Sequence, residues 1–156
     1  MPIARGELST GLPDLDRVIR GLLPGDNVVW QVDDPAHYRQ FAIPFCKAAV
    51  SQGRETIYFR FASHDPLVEP TNGVQVLALN PRSGFETFAS QVRGTIQRMG
   101  TGAYYIFDCL SELAEVWLSD EMLGSFFLLT CPYLLDMETV AYFGLLRNRH
   151  APEATA

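Results

Sequence analysis

Short apolar runs alternate with stretches of helical periodicity along this chain, and five of the runs carry the marks of strands. They are 27–32 (NVVWQV), 56–61 (TIYFRF), 74–79 (VQVLAL), 104–107 (YYIF) and 139–146 (TVAYFGLL). Each is short and rich in β-branched or aromatic residues, and the first four are bounded by turn formers: Leu23-Pro24-Gly25-Asp26, Gln52-Gly53-Arg54, Asn72-Gly73 with Asn80-Pro81, and Gly100-Thr101-Gly102.

Helical patterns fall between them. Residues 12–22 place Leu15, Val18, Ile19 and Leu22 at helical spacing. A second helix is expected to end near Gly53, with Pro44 kinking it. Ser83 is positioned to cap a helix carrying Phe85, Phe88, Val92 and Ile96 on one side. Residues 121–136 are apolar over a helical length, but Pro132 is expected to kink or end that helix, and an extra strand over 126–130 competes with it. Strands alternating with helices imply crossover connections, hence an α/β fold with a mainly parallel central sheet flanked by helices. Ligands of such sheets bind beyond the carboxyl ends of the strands. The loops of interest are therefore 33–37, 62–65 and 108–111.

Composition narrows the class. The 156 residues fit one domain over 1–150 with a loose tail over 151–156, and 47% hydrophobic residues suffice for a core. Eighteen acidic against 12 basic side chains give a net charge of −6, which disfavours nucleic acid as a partner. Lys47 is the one lysine. Cys46, Cys109 and Cys131 are widely spaced, as suits reduced, buried thiols in a cytoplasmic protein rather than disulfides or a zinc site. Residues 1–8 lack the apolar core of a signal peptide, and the apolar stretch around 126–129 is too short to span a bilayer, so no membrane partner is expected.

The run Leu8-Ser9-Thr10-Gly11-Leu12-Pro13-Asp14-Leu15-Asp16, followed by Gly21-Leu22-Leu23-Pro24-Gly25 and the strand 27–32, resembles the opening of RecA-like ATPase domains of the KaiC and RadA type. Tyr104-Tyr105-Ile106-Phe107-Asp108 is similar to that family's Walker B strand, and the resemblance covers most of residues 8–150. Residues 126–150, with Thr130-Cys131-Pro132-Tyr133 and Ala141-Tyr142-Phe143, further resemble the KaiC-like N-terminal regions of proteins related to phosphoenolpyruvate synthase and pyruvate phosphate dikinase. The resemblance implies a RecA-like P-loop fold that lacks its last strands. It also implies downstream domains of the same polypeptide as partners, and side-by-side assembly into a homo-oligomer.

The phosphate loop itself is degenerate. Such a loop needs glycines whose N–H groups close on phosphate, a lysine for the β/γ-phosphates and a hydroxyl for magnesium. The matched positions read Asp33-Asp34-Pro35-Ala36-His37-Tyr38-Arg39. There is no glycine, Tyr38 stands for the lysine and Arg39 for the hydroxyl. Pro35 removes a donor. A carboxylate about 4 Å from a phosphate charge costs about 4 kcal/mol at an effective dielectric near 20. In the resemblance the strand over 56–61 should end in glutamates that position the attacking water; Ala62 and Ser63 stand there instead, leaving Asp108 alone.

Plainer roles compete at each position. Asp33 and Asp34 suit helix caps, with a cation site built from Asp33, Asp34, His37 and Asp108 as the sharper alternative. Asp108 suits a strand-end cap for the next helix, His64 beside Asp65 a turn, and Arg147, Arg149 and His150 a solvated loop. Trp30 and Trp117 suit the core. The expectation is a noncatalytic module, a pseudo-ATPase serving assembly or regulation, with no catalytic residue, metal or cofactor of its own. The alternative is an accessory domain of a phosphotransferase that holds nucleotide weakly.

Overall fold

A computed structural model describes residues 8–70 and 73–147. The expected tail over 151–156, together with Arg149 and His150, lies outside the described residues.

Five parallel strands form one sheet in the order β1-β5-β4-β2-β3, where β1 is Asn27–Val32, β2 Thr56–Arg60, β3 Val74–Ala78, β4 Tyr104–Cys109 and β5 Val140–Leu146. The three inner strands are buried almost end to end, whereas the edge strands β1 and β3 are only partly buried. Burial on both faces explains why β2, β4 and β5 read as continuous apolar runs. The side-chain period of two divides their residues between two cores. Tyr58, Tyr104, Ile106 and Tyr142 pack with Tyr38, Ala42 and Phe45 of helix α2 (Pro35–Ser51). Ile57, Phe59, Tyr105, Phe107 and Phe143 pack on the other face. There they meet Phe88, Val92 and Ile96 of α3 (Phe85–Met99), Leu113 of α4 (Ser111–Val116), and Leu123, Phe126 and Leu134 of α5 (Asp120–Asp136). Each fully buried large apolar side chain contributes about 1.5–3 kcal/mol.

The opening motif is a structural clasp. After the bridge between Leu8 and Leu22, the carboxylate of Asp16 in helix α1 (Pro13–Ile19) accepts from the Ser9 hydroxyl and from both the N–H and hydroxyl of Thr10. Gly11 has φ +83°, and a Cβ there would run into the Pro44 carbonyl of α2. Glycine is thus required both by conformation and by the close approach of two backbones.

Three expectations need correction. Gly84, not Ser83, precedes α3; Ser83 closes a single 3₁₀ turn (Pro81–Ser83) that Asn80 caps through its side chain. Residues 126–130 are helical rather than a strand, and α5 continues through Pro132 to Asp136. The competing local signals lose because Leu123, Phe126, Thr130 and Leu134 lie on one face, and burying that face outweighs one lost hydrogen bond. The helix read over 12–22 stops at Ile19, and Leu22 instead bridges Leu8. Trp30 and Trp117 pack half-buried against the two cores: Trp30 stacks on Phe41 and Trp117 packs edge-on to Phe85 and Phe88. Among the described residues no helix is long and apolar enough to cross a membrane.

Candidate functional site

The strand order places a switch point at the carboxyl ends of β2 and β4. After β2 the chain turns to the α2 face, where Leu67 and Val68 are buried; after β4 it turns to the opposite face through α4 and α5. Such a divergence opens the crevice in which α/β sheets bind ligands. The loops over 62–65 and 108–111 and the start of α2 meet there. A cavity of about 360 Å³ lies between Asp34, Pro35, Ala36 and Arg39 on one side and Ser63 to Leu67 on the other.

Asp108 is the hub of this end, and it is 0% exposed. One carboxylate oxygen, Oδ2, accepts from Arg60 Nη1 at 2.8 Å, from the Phe61 N–H at 2.8 Å and from the Ala62 N–H at 3.0 Å. The other accepts from the Tyr58 hydroxyl. Tyr58 in turn accepts from the Leu67 N–H. Arg60 also donates to the carbonyls of Ala62 and His64, so its guanidinium ties the loop after β2 to the carboxylate. Burial works against the charged Arg60, but its hydrogen bond and charge contact with Asp108 outweigh that and raise its pKa. Burial, followed by the charge of Asp108, pushes the Tyr58 phenol far above its ordinary range. Asp108 reaches this position from a register shift between β4 and β5 at residues 106–109; bulges commonly re-aim side chains in this way. It caps no helix, contrary to expectation: its acceptors are spent across the sheet on β2 and the loop that follows.

His64 is more than a turn residue. Its Nε2 accepts from the Cys109 N–H at 3.1 Å, so Nδ1 carries the proton and donates to the Asp65 carbonyl at 2.8 Å. Beside it, the Glu112 carboxylate of α4 accepts from the Ser63 N–H and hydroxyl. Burial first, then the charges of Asp108, Asp34 and Glu112, push the Cys109 thiol up to about 12. A thiol held neutral is a poor nucleophile.

The loop over 33–39 is occupied by its own side chains. Asp34 caps α2, its carboxylate accepting from the Ala36 N–H at 2.8 Å; Asp33 does not cap but lies exposed, 3.9 Å from Arg147. His37 and Arg39 are exposed on the first turn of α2. Tyr38 points the other way: fully buried, it donates to the Phe107 carbonyl at 2.8 Å and packs against Gly144 of β5. A Cβ at Gly144 would sit 2.6 Å from the Tyr38 ring and 2.9 Å from Cys109 Sγ. The cation site suggested for Asp33, Asp34, His37 and Asp108 is not assembled, since Asp108 is sealed below the loop, and among the described residues no group of three His, Cys, Asp or Glu side chains could hold a metal ion.

Sequence reasoning brought Asp33–Arg39, Ser63, His64 and Asp108 to one end of the sheet but missed Tyr58, Arg60 and Glu112. Arg60 left a signal: it is a lone charge within an aromatic strand, and such a charge needs a partner. No protein-family model matches the chain, and no curated protein matches it significantly.

Proposed function

We propose that this domain is a noncatalytic member of the RecA-like, KaiC-type ATPases, a module that serves assembly or regulation. The reading is supported by the placement of the two matched segments: the loop after β1 and the end of β4 open at the same end of the sheet, separated by β5. The observation that carries the loss of activity is the condition of Asp108. Its carboxylate is enclosed by Arg60, Tyr58 and two backbone N–H groups, so it offers no acceptor to a hydrated magnesium ion or an attacking water. The second element is Tyr38, which occupies the lysine position and is folded into the core. Asp34 already holds an N–H of the α2 terminus that a phosphate would need. On the narrower likeness to phosphoenolpyruvate synthase-like proteins, downstream domains of the same polypeptide are the partners.

Calorimetry with Mg-ATP tests this reading. Binding no tighter than about millimolar, or roughly −4 kcal/mol, is expected, with no phosphate release above background. A micromolar dissociation constant, or magnesium-dependent turnover, would overturn it. The crevice beside Arg39 favours the second reading, an accessory domain that holds nucleotide weakly. Saturable millimolar binding abolished by Arg39→Ala would select that reading.

A further inference from the structure

Helix α5 is apolar almost all round, and only part of that surface is used. Leu123, Phe126, Thr130 and Leu134 are buried. On the opposite side Leu128 is 78% and Leu135 57% exposed, with the exposed Pro132 between them at helical spacing. A helix without a polar face belongs in a protein interior or under a partner. The ridge extends at its C-terminal end, where the Leu135 side chain fills the place a Cβ would take on Gly25, two residues from the exposed Leu23.

Charge at the two ends discriminates between occupants. Glu121 stands at the start of the helix, and Asp136 and Glu138 at its finish. A second copy laid antiparallel would set Glu121 against Asp136 and Glu138; laid parallel, it would set each end against itself. Either alignment puts like charges together at both ends, in a chain whose net charge is already −6. A helix with an apolar stripe and basic residues at both ends meets no such conflict.

We infer that the outer ridge of α5, Leu128–Pro132–Leu135, is a docking surface for an amphipathic helix whose apolar stripe is flanked by basic residues. The contact is a helix laid along an apolar ridge and oriented by charge at its ends. The acidic ends disfavour a second copy and set the sign of the partner.

Two labelled synthetic peptides of about 18 residues test this by fluorescence anisotropy. Both carry the same leucine stripe, one with lysine and one with glutamate elsewhere. The leucine–lysine peptide is expected to saturate in the micromolar range and the leucine–glutamate peptide not to bind. Leu128→Glu, at an exposed position that tolerates a charge, is expected to weaken the lysine peptide at least about tenfold, equivalent to about 1.4 kcal/mol. Gln75→Glu on the far edge strand adds the same charge and should leave binding unchanged. If Leu128→Glu bound the lysine peptide as well or better, attraction would be charge alone and the ridge would not be the site. Equal binding of the glutamate peptide would also refute the inference. So would a concentration-dependent dimer in light scattering that Leu128→Glu abolishes, because the occupant would then be a second copy.

Discussion

Asp108 is a strand-end carboxylate whose bonding capacity is taken up by the fold. A carboxylate ending an apolar strand looks like a ligand in waiting, but here Oδ2 alone accepts three hydrogen bonds and the Tyr58 hydroxyl takes the other oxygen. Charge-assisted bonds of this kind, made without solvent, are strong and are costly to break from one side. Asp108→Asn would keep the shape but leave the partly buried Arg60 unpaired and place an amide donor among donors. A loss of about 3 kcal/mol or more in urea unfolding is expected. A substitution that proved neutral or stabilising would mean that the carboxylate is held in strain for a ligand rather than used by the fold. The sequence displayed Asp108 and Arg60 but not their meeting, because they lie 48 positions apart and are joined only by the β2–β4 pairing and the bulge. Gly144 is a similar case: its need for the absence of a side chain comes from the Tyr38 ring, more than a hundred residues away.

At the scale of elements, α5 records a contest between local and tertiary preference. Pro132 lacks the N–H for the Leu128 carbonyl and crowds the preceding turn, which locally favours a break. The helix continues from Asp120 to Asp136 because Phe126, Thr130 and Leu134, on either side of the proline, are anchored in the same core. Ser119 starts it by accepting from the Met122 N–H. Pro132 is exposed, so its replacement removes the penalty without opening a cavity. Pro132→Ala is expected to raise stability by about 1–3 kcal/mol, read as an increase in melting temperature. No change would show that the turn before Pro132 has relaxed at no cost. The clasp at the other end of the chain is the opposite case, with local sequence and tertiary packing agreeing. Asp16 gathers Ser9 and Thr10, and Gly11 lets that loop lie against Pro44. The motif that carried the family resemblance is therefore explained here by structure rather than by chemistry.

At the scale of the whole molecule, the core on the α2 face of the sheet buries groups that ionise in alkali. Burial pushes the thiols of Cys46 and Cys109 up to about 12, Cys109 with help from nearby acidic charge, and holds Tyr104 near 12 as well. These groups keep their protons in the folded state while the unfolded chain releases them, the thiols from about pH 8.5–9 and the phenols from about 10. The folded state then binds more protons than the unfolded one, so unfolding becomes easier as pH rises. The stabilisation is complete below pH 8.5 and is lost progressively up to the folded values near 12. Each buried thiol removes about 1.4 kcal/mol per pH unit within that window. Urea midpoints measured from pH 7 to 11 should be flat at first and then fall steeply above 9. A midpoint that stayed level to pH 11 would contradict the burial of these groups.

The sequence by itself determined the elements and their class. The five strands, three of the helices and the parallel sheet follow from local periodicity, turn residues and the near-continuous apolar runs of β2, β4 and β5, because backbone sterics and burial act over a few residues at a time; α4 and the helical state of 126–130 do not. It also set the character of the loop over 33–39, since a proline without a donor and carboxylates beside it have the same chemistry in any fold. Tertiary structure alone decided what fills the end of the sheet. Strand order brought Arg60 and Tyr58 to Asp108, the bulge in β4 aimed that carboxylate at the loop after β2, and the absence of a side chain at Gly144 admitted Tyr38. Those contacts arise between strands far apart in sequence, where no pattern within one segment can register them.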